Sequence, residues 1–502
     1  MTPPAMDGGA TAHTALGDLA GLRQDGIAVF RGVPYALPPT GERRFLPPQP
    51  PRPWPGLRPA TEHGPIAPQG PSRLRLAMGD YARPQDEDCL TLTIWTPAPD
   101  AKRRPVLVFL HGGAYLSGAG SLEWYDGGRL AREGDLVVVG VNYRLGALGY
   151  LRREGVSPGN LGLLDQQAAL AWVRDHIAAF GGDPGGVTLA GQSAGASSIA
   201  FLLMEPAARP LFRRAIMQSA GLGRPPFTAE RAERIAAQIL AELGIDGDRA
   251  DAPARLRELP PAAFVAAQAK VARANARFAD MTPPFQPVIG RFDSAKAFIA
   301  ETAPAFAGRE LMIGATREEM HAFFAADPAM DDPDPAAVAE RFAALAGDAG
   351  RIELYRQRRP GGTLRDLLAD LVTDSVFLLP SLDLAEAVAE RGRRVWAYQF
   401  DWAPAGSRFK ACHCIELPFV FGTLGAWPGA QMLAGGDPAQ MAALSAAVRR
   451  AWIAFIRDGD PAHETMPWPA YDRAGRQVMR FADVIGPVGD PAGAAWRPRP
   501  YA

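Results

Sequence analysis

The chain has 502 residues, 47% of them apolar, and a formal net charge of −1 with both signs interspersed. This composition excludes a globally disordered chain and provides no basic footprint for nucleic acid or an anionic membrane surface. Length alone allows about three domains. Large α/β folds run longer, however, and no flexible linker divides the chain, so one domain over 1–502 is expected, with a helical insertion at about 225–380.

The opening segment, MTPPAMDGGATAHTALGDLAG, has neither a basic n-region nor an apolar h-region, so no signal peptide is expected. No apolar run reaches the length of a membrane span. The three cysteines, Cys89, Cys412 and Cys414, are odd in number, and two of them flank one histidine. That speaks against a disulfide framework and for a reducing, cytoplasmic location.

The first hundred residues are rich in Pro and Gly and read as mostly irregular, with short strands such as GIAVF. PVLVFLHGG (105–113) and LVVVGVNYRL (136–145) then read as strands buried on both faces. A helix follows from Leu161 to about Phe180, with Leu163, Leu170, Val173, Ile177 and Phe180 on one face and Gly181-Gly182 as its stop. VTLAG is the next strand and 194–204 the next helix. RAIMQSA (214–220), ELMIGA (310–315) and RVWAYQF (394–400) read as later strands, with Ala-, Arg- and Glu-rich helical stretches at 228–280 and 331–370. Near the C-terminus, Asp437-Pro438 opens a helix and Gln440 stands where a capping-box partner belongs. Met441, Leu444, Val448, Trp452 and Phe455 form that helix's apolar stripe. Strands alternating with helices predict an α/β fold, a large mostly parallel sheet with helices on both faces.

One segment carries chemistry. Gly191-Gln192-Ser193-Ala194-Gly195 lies between the strand VTLA and a helix. A sharp strand-to-helix corner needs small residues on both flanks, and it points the corner side chain out above the sheet's carboxyl edge. The Ala194 amide, at a helix N-terminus, is free to donate to a developing oxyanion. HGGAY (111–115) ends an earlier strand, and its glycines let the amides of Gly112 and Gly113 approach a substrate oxygen.

A serine nucleophile needs a base, and the base needs an orienting carboxylate. In this fold class the chain order is Ser, acid, His. Of the histidines after Ser193, His321 follows a strand, His463 sits in a polar turn, and His413 lies on a loop just past a late strand. His413 is the candidate base, the other two reading as surface histidines, and Glu318 or Glu319, after LMIGA, the acid. Cys412-His413-Cys414 makes a poor metal site: neighbouring residues on an extended segment point apart, and no second Cys pair completes a tetrahedron.

Several blocks together resemble the type-B carboxylesterases, the carboxylesterase/cholinesterase family of α/β-hydrolases. They are FRGVPYALPPTGERRF, EDCLTLTIWTP, NYRLGALGYL, NLGLLDQQAALAWV, FGGDPGGVTLAGQSAG, FRRAIMQSA and MPWPAYD, spread over 14–481. The bacterial para-nitrobenzyl esterase-like members are the most similar. The resemblance implies the α/β-hydrolase fold with helical cap or regulatory insertions. It also implies hydrolysis of small to medium carboxylic esters through an acyl-enzyme, without metal or organic cofactor. Ser193 is then the nucleophile, His413 the base and Glu319, rather than Glu318, the acid. Gly112, Gly113 and Ala194 form the oxyanion hole. Carbamates or amides would suit the same machinery. A non-catalytic binding module of the same fold would lack triad members, and here all three stand in place. The implied partner is a small-molecule ester; monomer or homodimer is left open.

Departures from the family pattern are informative. Ala67 stands where a cysteine often pairs with the one at Cys89, and Gln192 where glutamate is common. Met320 replaces a usual glycine and Cys414 a usual small residue. Residues 68–88 contain no tryptophan, Tyr81 being their only aromatic, which disfavours choline esters. Ser219 is expected to be buried and hydrogen-bonded. Phe419 and Phe421 belong either to the acyl pocket or to the core.

Overall fold

In the run 104–110, Val106, Val108 and Leu110 join one apolar cluster while Leu107 and Phe109 join another. Val137, Val139 and Val141 split from Val138 in the same way. A strand that buries both sets of alternate side chains must have layers packed on both faces, and the fold follows from that requirement. The structure is a computed structural model and describes residues 6–491.

The strands are β1 (Met6–Thr14), β2 (Gly17–Gln24), β3 (Ile27–Pro34), β4 (Leu57–Pro59), β5 (Thr91–Thr96), β6 (Arg104–Leu110), β7 (Val137–Val141), β8 (Arg152–Arg153), β9 (Ser157–Pro158), β10 (Gly182–Gln192), β11 (Arg214–Gln218), β12 (Glu310–Thr316), β13 (Val395–Phe400), β14 (Gln477–Phe481) and β15 (Gly486–Gly489). Thirteen of them form one sheet in the order β1-β2-β3-β5-β7-β6-β10-β11-β12-β13-β14-β15, with β4 beside β2. Its central strands, β7 through β14 in that order, pair in parallel, and antiparallel strands extend both ends.

The N-terminal region holds more strand than its composition suggests. β1, β2 and β3 are an antiparallel meander. Its signal is Asp25-Gly26, both at positive φ (51° and 76°), the geometry of a tight hairpin turn between β2 and β3. The Gly and Ala content of these strands hides the usual apolar alternation.

The helix Leu161–His176 runs into a 3₁₀ turn, Ile177–Phe180, and stops at left-handed Gly181. The stretch 225–380 holds the helices Ala229–Glu242, Pro261–Ala274, Pro335–Ala346 and Leu364–Thr373, with β12 among them in the central sheet. The C-terminal helix Pro438–Asp458 is capped by Asp437, whose side chain accepts from Gln440 N–H. Gln440 does not close a capping box. Its Oε1 accepts from Trp402 Nε1 at 3.1 Å and its Nε2 donates to Asp483 at 2.8 Å. No helix among the described residues is long and apolar enough to cross a membrane.

Candidate active site

Parallel pairing in register brings successive strand ends to one edge: Leu110 beside Gly191, Gln192 beside Gln218, Thr316 beside Phe400. The segments leaving that edge carry His111 to Gly113, Ser193, Ser219, Glu319 and His413. Open α/β sheets bind ligands at this edge.

Ser193 occupies the corner between β10 and the helix Ala194–Met204, at φ 55° and ψ −121°. Such a conformation costs about 1–3 kcal/mol for a non-glycine residue and survives only when its surroundings dictate it. They do. A Cβ on Gly191 would stand 2.4 Å from the Gly195 carbonyl carbon, and one on Gly195 only 2.0 Å from Leu110 O. Ser193 N–H donates to Gln218 O at 2.9 Å, pinning the corner to β11.

The facing turn after β6 is equally constrained. Gly113 has φ 116°, and a Cβ there would overlap Ser117 O at 1.9 Å. Ala114 and Tyr115 follow at positive φ. Among the described residues, the N–H groups of Gly112 and Gly113 donate no hydrogen bond. Ala194 N–H, at the first helical position, has no intrahelical acceptor. His111 braces this turn: its ring stacks on Tyr143 at 4.3 Å, and Tyr143 Oη donates to His111 O at 2.7 Å. Burial lowers the His111 pKa to about 4, so its imidazole is neutral at neutral pH.

His413 and Glu319 are both buried, and His413 Nδ1 bonds Glu319 Oε2. The other carboxylate oxygen accepts from Thr316 N–H at 2.8 Å, and His413 N–H donates to Glu319 O at 3.2 Å. The Phe323 and Phe377 rings each lie 5.1 Å from the imidazole. Phe377 comes from a π-helical turn, Asp374–Leu378, a distortion that re-aims one side chain. On the open side of the ring, Gln192 Nε2 lies 3.2 Å from His413 Nε2. Among the described residues no hydrogen bond joins Ser193 Oγ to His413, although both line one cavity with Gly112 and Gly113. Such contacts often close only around substrate.

The neighbouring candidates go elsewhere. Glu318 accepts from Arg359 at 2.9 Å and from Ala411 N–H at 3.1 Å. Burial opposes its ionisation, but the Arg359 guanidinium holds its carboxyl below the usual range. His321 is not a surface residue. It is buried beside Asp366 at 3.4 Å, and burial lowers its pKa to about 4. His463 is half-buried in its turn, 3.2 Å from Thr465 Oγ1. Ser219 is buried as expected, but its hydroxyl finds no partner among the described residues. Phe419 and Phe421 belong to the core, packing on Trp402 at 4.9 Å and on Phe109 at 4.8 Å. Cys89, Cys412 and Cys414 are buried and unpaired. The Cys412–Cys414 segment is a turn rather than extended chain, with Ile415 N–H donating to Cys412 O at 3.1 Å. Among the described residues no cluster of His, Cys, Asp or Glu is arranged for a metal.

Two cavities meet at Ser193. One is lined by His413, Gln192, Gly112, Gly113 and Trp124. The other is lined by Ala194, Leu222, Arg224, Phe298 and Phe377. Trp124, stacked on Trp427 at 4.4 Å with Tyr81 edge-on at 5.2 Å, supplies an indole that residues 68–88 do not. Neither it nor Arg224 has a local sequence signal; only the fold brings them here.

Glu416, on the turn after His413, is buried, with Oε1 accepting from Gln218 at 3.2 Å and Oε2 without a partner among the described residues. Burial, with the nearby Glu319 charge, pushes its pKa up to about 8. A carboxyl raised in this way favours the fold while protonated. That contribution is complete below the ordinary carboxylate range and is lost as pH rises through about 8. The Glu416→Gln protein, neutral at every pH, should therefore gain stability over wild type as pH rises from 5 to about 9. Thermal melts across that range check this, and parallel curves would refute it.

A sheet of this order, with a serine on a strained strand-to-helix corner at its carboxyl edge, defines the α/β-hydrolase fold. The chain belongs to the carboxylesterase family, whose model matches residues 9–485, and it is a carboxylic-ester hydrolase. It is 40% identical to the phenmedipham hydrolase of Pseudarthrobacter oxydans over 479 residues, covering 94% of this chain and 95% of that one. It is 37% identical to the para-nitrobenzyl esterase of Bacillus subtilis over 487 residues, covering 95% and 96%. Among solved structures, a Geobacillus stearothermophilus carboxylesterase superposes with a TM-score of 0.85 at 36% identity, covering 97% of this chain and 100% of that one.

Proposed function

We propose that Ser193, His413 and Glu319 hydrolyse small to medium carboxylic esters through an acyl-enzyme. The observation that carries this reading is the buried His413–Glu319 pair, whose imidazole lines the same cavity as Ser193. Ser193 Oγ attacks the ester carbonyl while His413 Nε2 takes its proton. Glu319 holds the Nδ1–H tautomer and stabilises the imidazolium. The amides of Gly112, Gly113 and Ala194 receive the negative oxygen. His413 then protonates the leaving alcohol, and water activated by the same ring releases the acid.

The histidine must reach the leaving oxygen, so the cavity it lines takes the alcohol and the opposite one takes the acyl chain. The buried, unpaired cysteines suit a reducing compartment, the cytoplasm. A panel of para-nitrophenyl esters of rising chain length, run with and without a fluorophosphonate, tests the reading. Turnover that the inhibitor leaves untouched would refute it.

Gln192 offers a second test. A carboxylate facing His413 stabilises the imidazolium, so Gln192→Glu should move the acid limb of the kcat/KM profile upward by about one pH unit. An unmoved limb would mean that residue 192 does not face the working nitrogen.

A further inference from the structure

Among the described residues, Arg224 is the only charged one lining the acyl-side cavity, whose other walls are mostly apolar: Phe201, Leu222, Met281, Phe298 and Phe377 among them. No carboxylate of the described residues lies within salt-bridge reach of its guanidinium, and its side chain makes no hydrogen bond with them. What it does touch is distant, a stack 5.8 Å from the Phe377 ring centroid. Arg224 is half-buried, and none of its guanidinium nitrogens is sealed from solvent without a partner, so its donors face the cavity free to exchange water for an anion. A guanidinium also presents a planar fork matched to a carboxylate.

The surroundings neutralise it only from a distance: Asp280 attracts the cation without forming an ion pair with it, and Arg73 repels it. Arg224, Met281 and Gln286 form the wall between the acyl-side cavity and a second cavity of about 270 Å³. That second cavity adds Arg231 and Arg341 against Asp280 and the exposed Asp293. Asp280 is tied to Thr282 N–H at 2.9 Å and lies beyond salt-bridge reach of these arginines. Arg341 Nε is itself buried without a partner among the described residues. Burial, with Arg73 nearby, lowers the Arg224 pKa only to about 10, so the cation persists at neutral pH.

We propose that this pocket selects acyl groups ending in a carboxylate, so that the preferred substrates are monoesters of short dicarboxylic acids. The inference rests on the acyl-side assignment made above. The ester carbonyl sits at Ser193, the methylene chain packs on Leu222 and the phenyl rings, and the free carboxylate pairs with Arg224. The bond that breaks is the acyl–oxygen bond of the ester. The acyl group passes to Ser193 Oγ and the alcohol leaves with the proton His413 took from the serine; water then adds its oxygen to the acyl carbon, returns one proton to Oγ through His413, and leaves the second carboxylate with one proton released.

The test compares kcat/KM for monoethyl succinate, glutarate and adipate with that for ethyl pentanoate, followed by proton release. In the wild type at least one acidic ester should exceed the neutral one. Arg224→Met, which keeps length without charge, should lower the acidic-to-neutral ratio about tenfold to a hundredfold, with Arg224→Lys falling between. Glutarate should also inhibit wild-type hydrolysis of ethyl pentanoate competitively and more strongly than pentanoate does, a measurement that needs no variant. A purely structural Arg224 would depress both substrates together and leave the ratio unchanged. That result, or glutarate binding no better than pentanoate, overturns the proposal while ethyl pentanoate turnover keeps the esterase reading intact. A wild type that cleaves none of these esters and escapes a fluorophosphonate overturns both.

Discussion

Alanine at Ser193 is expected to lower kcat for para-nitrophenyl butyrate by on the order of 10⁵–10⁶-fold, with little change in melting temperature. The two halves of this expectation have separate causes. The hydroxyl is the one group at the corner able to form the acyl bond, and without it only the oxyanion amides and ground-state binding remain. Those leave a residual of about 10³-fold over the uncatalysed reaction. The fold should hold because the strain at φ 55° belongs to the backbone, and the collisions that dictate it involve Gly191 and Gly195. Alanine has the same Cβ as serine and adds none. Steady-state kinetics, a melt and fluorophosphonate labelling together read this out. A Ser193→Ala protein that keeps most of its rate would remove the residue from the mechanism.

The elbow was legible because its chemistry and its backbone demand lie within five consecutive residues. A glycine two positions either side of a serine is a local statement about steric room, and the structure shows the overlaps those glycines avoid. The central strands were legible for a similar reason: runs such as 104–110 and 137–141 are apolar on both faces. The choice between Glu318 and Glu319 was not legible from strand position, since both follow the same strand, and only the family resemblance favoured Glu319. The hydrogen bonds in the first turn beyond β12 support that reading: Thr316 N–H and His413 take the Glu319 carboxylate, and Arg359 takes that of Glu318. Arg224, Trp124, Phe323 and Phe377 lie far apart in the chain and share walls only after folding. No period or motif marks them, and although Pro380 signals a break in the helix, nothing in the sequence says that the π-helical turn before it delivers Phe377 to this wall. The N-terminal meander was hidden by its small residues, although Asp25-Gly26 did announce the hairpin.

Glu319→Gln tests the orienting role with almost no change in shape, and the hydrogen bonds dictate which way the new amide must lie. Thr316 N–H needs an acceptor, so the amide oxygen of the substituted side chain takes the place of Oε1 and its NH₂ faces His413. An NH₂ can only donate, so Nδ1 must become the acceptor and the ring proton moves to Nε2. The nitrogen that should remove the Ser193 proton then already carries one. Loss of kcat of about 10⁴-fold is expected, the cost of the wrong tautomer in such triads. Glu318→Gln is the control. It weakens the contact with Arg359, which keeps Asp370 at 2.7 Å, and it leaves the imidazole untouched. Its kcat should stay within about tenfold of wild type while its melting temperature falls. Equal losses in the two variants would mean that Glu319 acts through the fold alone; a deep loss in Glu319→Gln, with its melting temperature preserved, places its action on the ring.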